Sequence, residues 1–248
     1  MKFLRTVLIT GFLIACSHAA TGTQPETASG DVRRVLFIGN SLTYFNDLPL
    51  IVQQLAEAGG RRIDVGMVAF PDYNLEDHRA RGDAVTEIRE GRWDLVVLQQ
   101  GPSSLPENRD QLRASTHQFA EDIRKAGGRP ALYMVWPTAD RQADFPRAIE
   151  SYVLAAADVN GLLLPVGESW VAAWGSDPSA PLYSSDGLHP SPTGSYLAGL
   201  VFVGRILERS PEGLPNHVRL GSGEVLTIPP DRARLLQKAA ALVNERYR

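Results

Sequence analysis

Short apolar runs alternating with amphipathic stretches set the strongest limit on what this chain can fold into. Val35–Ile38, Leu95–Leu98, Ala131–Val135 and Leu162–Val166 are too short for helices and read as buried strands. Arg62–Ala69 alternates in polarity and supplies a further strand, second in chain order. Between the strands lie helix-patterned segments. Leu48–Ala58 is stopped by Gly59-Gly60, Gly82–Glu90 is closed by Gly91, and Gln111–Ala126 is stopped by Gly127-Gly128. Phe145–Val159, Tyr196–Leu207 and Asp231–Tyr247 continue the pattern, with Leu214–Ile228 forming a small hairpin or a loop. Strand–helix alternation of this kind predicts a three-layer α/β/α fold on a mostly parallel five-stranded sheet. No internal repeat or interior linker divides residues 32–248, which read as a single domain.

The first residues follow a different logic. Lys2 and Arg5 precede an apolar run, Thr6 to Ala15, which is short for a bilayer span and reads as an export signal over residues 1–15. Leu13-Ile14-Ala15-Cys16 resembles a bacterial lipobox, which implies cleavage before Cys16 and lipid on its sulfur. Cys16 is the sole cysteine, so no disulfide forms within the chain. The alternative is cleavage after Ser17-His18-Ala19, which leaves a secreted chain starting at Ala20. Residues 16–31 lack periodicity and read as a flexible tether. The expected location is therefore the bacterial envelope as an anchored lipoprotein, or else the periplasm or medium. A net charge of −3 and the absence of a long basic run give no footprint for nucleic acid.

Open parallel sheets bind ligands beyond the carboxyl ends of their strands. The segments to search are Gly39–Thr43, Phe70–Leu75, Gln99–Ser104, Trp136–Asp140 and Gly167–Trp170. In the first, Ser41 stands between a strand and a helix. It is either a turn or cap residue, or a nucleophile whose hydroxyl faces the sheet edge near backbone N–H donors. Near the other end, Asp186 and His189 lie three apart in Ser184-Ser-Asp-Gly-Leu-His-Pro-Ser191. They form either a surface turn or the acid–base pair a serine nucleophile needs: Asp186 on Nδ1–H, Nε2 left for the serine.

Together these segments resemble the SGNH/GDSL hydrolase superfamily. Gly39-Asn-Ser-Leu42 is similar to its Gly-Asp-Ser-Leu block, with Asn40 in the Asp place, and Asp186-Gly-Leu-His189 to its closing Asp-x-x-His block. No Gly-x-Ser-x-Gly surrounds Ser41, which sets this apart from the α/β-hydrolase elbow. The resemblance implies a flavodoxin-like core and an ester hydrolase with Ser41 as nucleophile, His189 as base and Asp186 as its orienter. It also implies oxyanion donors from a Gly in a second block and an Asn in a third, and here the chain departs from the pattern. The second block falls at Pro71-Asp-Tyr-Asn-Leu75, where Asp72 by its backbone N–H, or Asn74 by its side chain, takes the role. The third falls at Gln99-Gln-Gly-Pro-Ser-Ser104, where Gln100 or Gln99 offers a carboxamide and Ser103 holds the aligned position.

Glu76-Asp77-His78 is set aside as a metal site, because sequence neighbours point apart and no partner pair at ligand spacing follows. Trp170 and Trp174, four apart on one helix face, are core or an apolar wall of the site, as is Trp136. The resemblance calls for no metal or organic cofactor. Its expected substrate is a small acyl ester, including O-acetyl groups of carbohydrate, with activity failing in acid once His189 is protonated. A non-catalytic binding module and an O-acyltransferase on the same scaffold are the alternatives.

Overall fold

A computed structural model describes residues 33–248. The expected export signal, Cys16 and the tether lie outside the described residues. Five strands, β1 (Arg33–Gly39), β2 (Ile63–Ala69), β3 (Leu95–Leu98), β4 (Arg129–Tyr133) and β5 (Leu162–Leu164), form one sheet in the order β2-β1-β3-β4-β5. Every pairing in it is parallel. This is the doubly wound order, in which the chain leaves β1 for one side of the sheet and returns to β3 on the other. The loops after β1 and β3 therefore diverge and leave a crevice between them.

The helices flank the sheet in two groups. In one, α2 (Leu48–Ala58) packs on α8 (Pro192–Ile206), which packs on α9 (Pro230–Arg246), and α7 (Val166–Ser176) joins them. In the other, α4 (Asp83–Gly91) packs on α5 (Pro106–Lys125) and α5 on α6 (Phe145–Asp158). Phe37 of β1 stacks on Phe202 of α8 at 5.5 Å, and Tyr133 of β4 meets Phe202 edge-on at 5.0 Å. Val35 to Ile38 are fully buried, as the unbroken apolar run requires of a central strand. No helix among the described residues is long and apolar enough to cross a membrane.

The structure differs from the periodicity in two places. Helix α5 begins at Pro106, well before Gln111, because proline at the first turn costs no hydrogen bond. A short helix α3 (Leu75–Arg81) forms on a capping box, Asn74 accepting from the Asp77 N–H and Asp77 from the Asn74 N–H. Of the two readings of Leu214–Ile228, the hairpin is the one that forms, β6 (His217–Arg219) antiparallel to β7 (Val225–Thr227).

The α2–α8 contact depends on Gly199, where a Cβ would stand 2.7 Å from Ile51 and 2.9 Å from Leu55. Gly199→Leu should lower the unfolding free energy by about 3 kcal/mol in urea titration. Gly175→Ala, on a helical site with open space around it, should not lower stability at all.

Candidate active site

The first helix after β1 is a single turn, α1 (Ser41–Tyr44), and Ser41 is its first residue. Asn40 caps it in an extended conformation, its Oδ1 accepting from the Leu42 N–H at 3.1 Å. The Ser41 N–H has no partner among the described residues, as befits the first turn of a helix. Gln99 holds this turn. Its Oε1 accepts from the Asn40 N–H at 2.8 Å and the Thr43 hydroxyl at 2.7 Å. Its Nε2 donates to Asn40 Oδ1 at 2.9 Å and to the Gln100 carbonyl at 2.7 Å. A Cβ on Gly39 would collide with the Gln99 and Thr43 side chains, so glycine is what lets the clamp close. From α3, buried His78 donates its Nε2–H to the Gly39 carbonyl at 2.8 Å. Its Nδ1 has no partner among the described residues, and burial lowers its pKa against the weaker opposing pulls of the Gly39 carbonyl, Asp77 and Asp83; Arg81 adds to the lowering.

The second half of the site is the loop Ser184–Pro190. Asp186 Oδ1 accepts from the Ser184 hydroxyl at 2.6 Å and the Leu188 and His189 N–H groups at 2.8 and 2.9 Å. Oδ2 accepts from His189 Nδ1 at 2.6 Å. The Ser184 hydroxyl, then the His189 ring, then the backbone N–H of Leu188 hold the carboxyl well below the usual carboxylate range. Gly187, at φ 68°, takes the left-handed turn that brings Asp186 back under the ring. Phe45, just after α1, stacks on the His189 imidazole with centroids 3.9 Å apart. Asn46, at φ 55°, donates to the Pro190 carbonyl at 3.0 Å. Trp136 Nε1 donates to the Leu188 carbonyl at 3.1 Å. These contacts bring the two chain-distant loops to one edge. Ser41 Oγ and His189 Nε2 make no hydrogen bond to each other, and neither has another partner among the described residues.

A cleft of about 350 Å³ opens on Ser41, and Leu188 of the histidine loop lines it too. Of the oxyanion candidates, Asp72, Asn74 and Gln100 line this cleft and Gln99 does not. Gln99 is corrected from donor to clamp: it is fully buried and both Nε2 hydrogens are spent within the fold. Asp72 stands at φ 60°, a left-handed backbone suited to the glycine it replaces, and its N–H is unpartnered. Asn74 uses its carbonyl oxygen to cap α3. Gln100 donates one Nε2–H to Ser103 Oγ at 2.9 Å and retains a second. Trp170 lies in the core, stacked on Trp136 at 3.7 Å, and Gly167–Trp170 coils into α7 away from the cleft. Phe45 and Asn46, just before α2, escaped sequence reasoning. Tyr73 on the cleft wall lies in a segment singled out by its place after a strand, whereas Asn108, Gln111 and Arg141 carried no signal.

Two outcomes follow from the clamp and the buried histidine. Gln99→Leu leaves the Asn40 N–H and the Thr43 hydroxyl without their partner, while the Gln100 carbonyl keeps the Tyr152 hydroxyl. Chemical denaturation should show a loss of at least about 2–3 kcal/mol. Burial lowers the pKa of folded His78, so the unfolded chain takes up its proton first as pH falls. Its contribution is full above the ordinary histidine range and declines as pH drops through it. Denaturation midpoints measured from about pH 7 to about pH 5 should fall less steeply in His78→Gln than in the parent.

No family model and no curated protein matches the chain. Among solved structures, it resembles a DUF4886 family protein from Bacteroides uniformis at 20% identity and a TM-score of 0.73, over 86% of this chain and 95% of that one. It resembles an arginine-to-alanine variant of an acetyl-xylooligosaccharide esterase from Geobacillus at 16% identity and a TM-score of 0.53, over 73% and 94% of the two chains. A candidate SGNH hydrolase from Slackia heliotrinireducens is 31% identical, with a TM-score of 0.58, over 71% of this chain and 100% of that protein. Matched along the whole of that last protein at this identity, the chain belongs to the SGNH hydrolase superfamily.

Proposed function

We propose that this chain is a serine esterase that removes small acyl groups, with Ser41 as nucleophile, His189 as general base and Asp186 as the group that orients and stabilises the imidazole. The observation that carries the reading is the Asp186–His189 pair. With Nδ1 tied to the carboxylate at 2.6 Å, the neutral ring keeps Nε2 as its acceptor, on the edge that carries Ser41. Ser41 Oγ adds to the acyl carbon and its proton passes to Nε2. The tetrahedral oxyanion accepts from the Ser41 N–H, joined by the Asp72 N–H and the free Nε2–H of Gln100. His189 returns the proton to the departing alcohol. Water, deprotonated in the same way, then cleaves the acyl-enzyme.

Tyr73, Asn74, Asn108 and Gln111 around Ser41 suit an alcohol part rich in hydroxyls. An acetylated carbohydrate meets that description, and the esterase named above acts on acetylated xylooligosaccharide. The place of action we propose is the bacterial envelope, with the chain exported and held by lipid on Cys16. Incorporation of a fatty-acid analogue tests this part: an unlabelled protein with a mature N-terminus at Ala20 overturns it.

Hydrolysis of a chromogenic acetate ester tests the chemistry. Ser41→Ala and His189→Ala should each lower kcat by about 10³- to 10⁶-fold, and Asp186→Asn by about 10⁴-fold. Gln100→Ala should lower it by about 10²- to 10³-fold. Equal rates for the parent and Ser41→Ala sink the proposal.

A further inference from the structure

The amino edge of the sheet, opposite the cleft just described, carries a second constellation. An arginine stands at the start of β1 (Arg33) and of β4 (Arg129), and Arg205 closes α8 beside them. The three line a cleft of about 270 Å³, and Arg129 and Arg205 also line an adjoining one of about 440 Å³ that shares Leu162 and Glu208 with it. Some guanidinium groups elsewhere have carboxylate partners, Arg79 and Arg89 on Asp122, Arg113 on Asp158 and Arg232 on Asp177, and the three at this edge have none among the described residues. Arg33 donates to the Ile206 carbonyl, Arg205 to the Leu163 and Asn244 carbonyls, and the Arg129 side chain to nothing among the described residues. Two acids share the first cleft, Asp94, which accepts from the Arg34 N–H at 2.7 Å, and Glu208; neither pairs with these arginines among the described residues, and the three guanidinium groups outnumber the two carboxylates. Burial, and then the charges of Arg129 and Arg248, weaken the hold of Arg205 on its proton, with Glu208 opposing.

Helix C-termini attract cations, and carbonyl bonds account for part of this placement. They do not account for Arg129, or for like charges gathered in a cleft of a chain whose net charge is −3. We propose that the cleft walled by Arg33, Arg129 and Arg205 binds a phosphate group, its oxygens taking the N–H donors that no carboxylate occupies. Two sources share this chemistry, a phospholipid headgroup and a soluble organic phosphate. The headgroup fits the anchored reading above, because Arg33 opens β1 and the chain before it carries Cys16. The phosphate site itself does not rest on that reading, nor on the esterase.

Calorimetric titration of the full chain carrying Cys16→Ser with glycerol 1-phosphate tests the site. Co-sedimentation with phosphatidylcholine vesicles, with and without phosphatidylglycerol, tests the source. Arg129→Gln should weaken glycerol phosphate binding by about tenfold, the loss of a charge-assisted bond. Arg234→Gln, at the start of α9, should leave it unchanged, and both variants should retain the parent's acetate-ester activity. Sedimentation that requires phosphatidylglycerol and falls with Arg129→Gln supports the site with a headgroup as source. Glycerol phosphate binding without sedimentation supports it with a soluble source. No binding to either probe, or equal binding by the parent and Arg129→Gln, overturns it.

Discussion

The carboxamide of Gln99 is the interaction on which the site depends. In a sheet ordered β2-β1-β3-β4-β5, the chain switches sides between β1 and β3, and the loops leaving those strands part company. A crevice suits a ligand but leaves polar backbone exposed to it. Gln99 closes the base of the crevice by accepting twice and donating twice, so that the Asn40 N–H, the Thr43 hydroxyl, the Asn40 side chain and the Gln100 carbonyl are all satisfied without water. Burial makes each bond stronger than it would be in contact with solvent and makes leaving any one unmade expensive. The Ser41 turn therefore has one low-energy arrangement, in which its N–H stays unspent and faces no internal acceptor.

Order is built into the histidine loop by the same means. One carboxylate, Asp186, gathers four donors from its own loop, so loop shape and ring orientation are a single constraint. The aromatic face of Phe45 and the Asn46 amide then fix that loop against the serine turn. Residues from the two ends of the domain meet through packing that is complete before any substrate arrives. Under the proposed esterase reading, such preorganisation is where much of the advantage over solution lies.

The fold was legible because its signal is redundant. Val35–Ile38 and Leu95–Leu98 are apolar on both faces, and the Gly-Gly stops after Ala58 and Ala126 punctuate the helices. Helix α5 was misplaced at its start because Glu107 to Asp110 are polar all round; only Pro106 marks the boundary, and proline reads equally well as a loop. The pairing of Asp186 with His189 could be read from a spacing of three with a glycine between. The role of Gln99 could not. A glutamine after a strand offers the same donor whether it faces a ligand or the fold, and only the approach of Asn40, across the switch point, decides which. The cleft wall was harder still, since Tyr73, Asn108 and Arg141 come from three separate loops and helices that no local pattern joins.

One physical cause gives the two edges of the sheet their opposite chemistry. Parallel strands with returning helices send every strand's carboxyl end, and the start of the helix after it, to one edge; strand starts and helix ends go to the other. At the first edge, unspent N–H groups such as those of Ser41 and Asp72 favour developing negative charge. At the second, helix carbonyls attract arginines, and Arg33 and Arg205 answer that attraction by donating to Ile206 and Asn244. Neutral carbonyls absorb the hydrogen bonds but leave the positive charge intact. A carboxylate would have cancelled it, as Asp122 does for Arg79 and Arg89 in the same fold. The charge at the amino edge is thus a consequence of which acceptors the sequence places there, and Arg129, whose side chain has no acceptor among the described residues, is where it is least compensated.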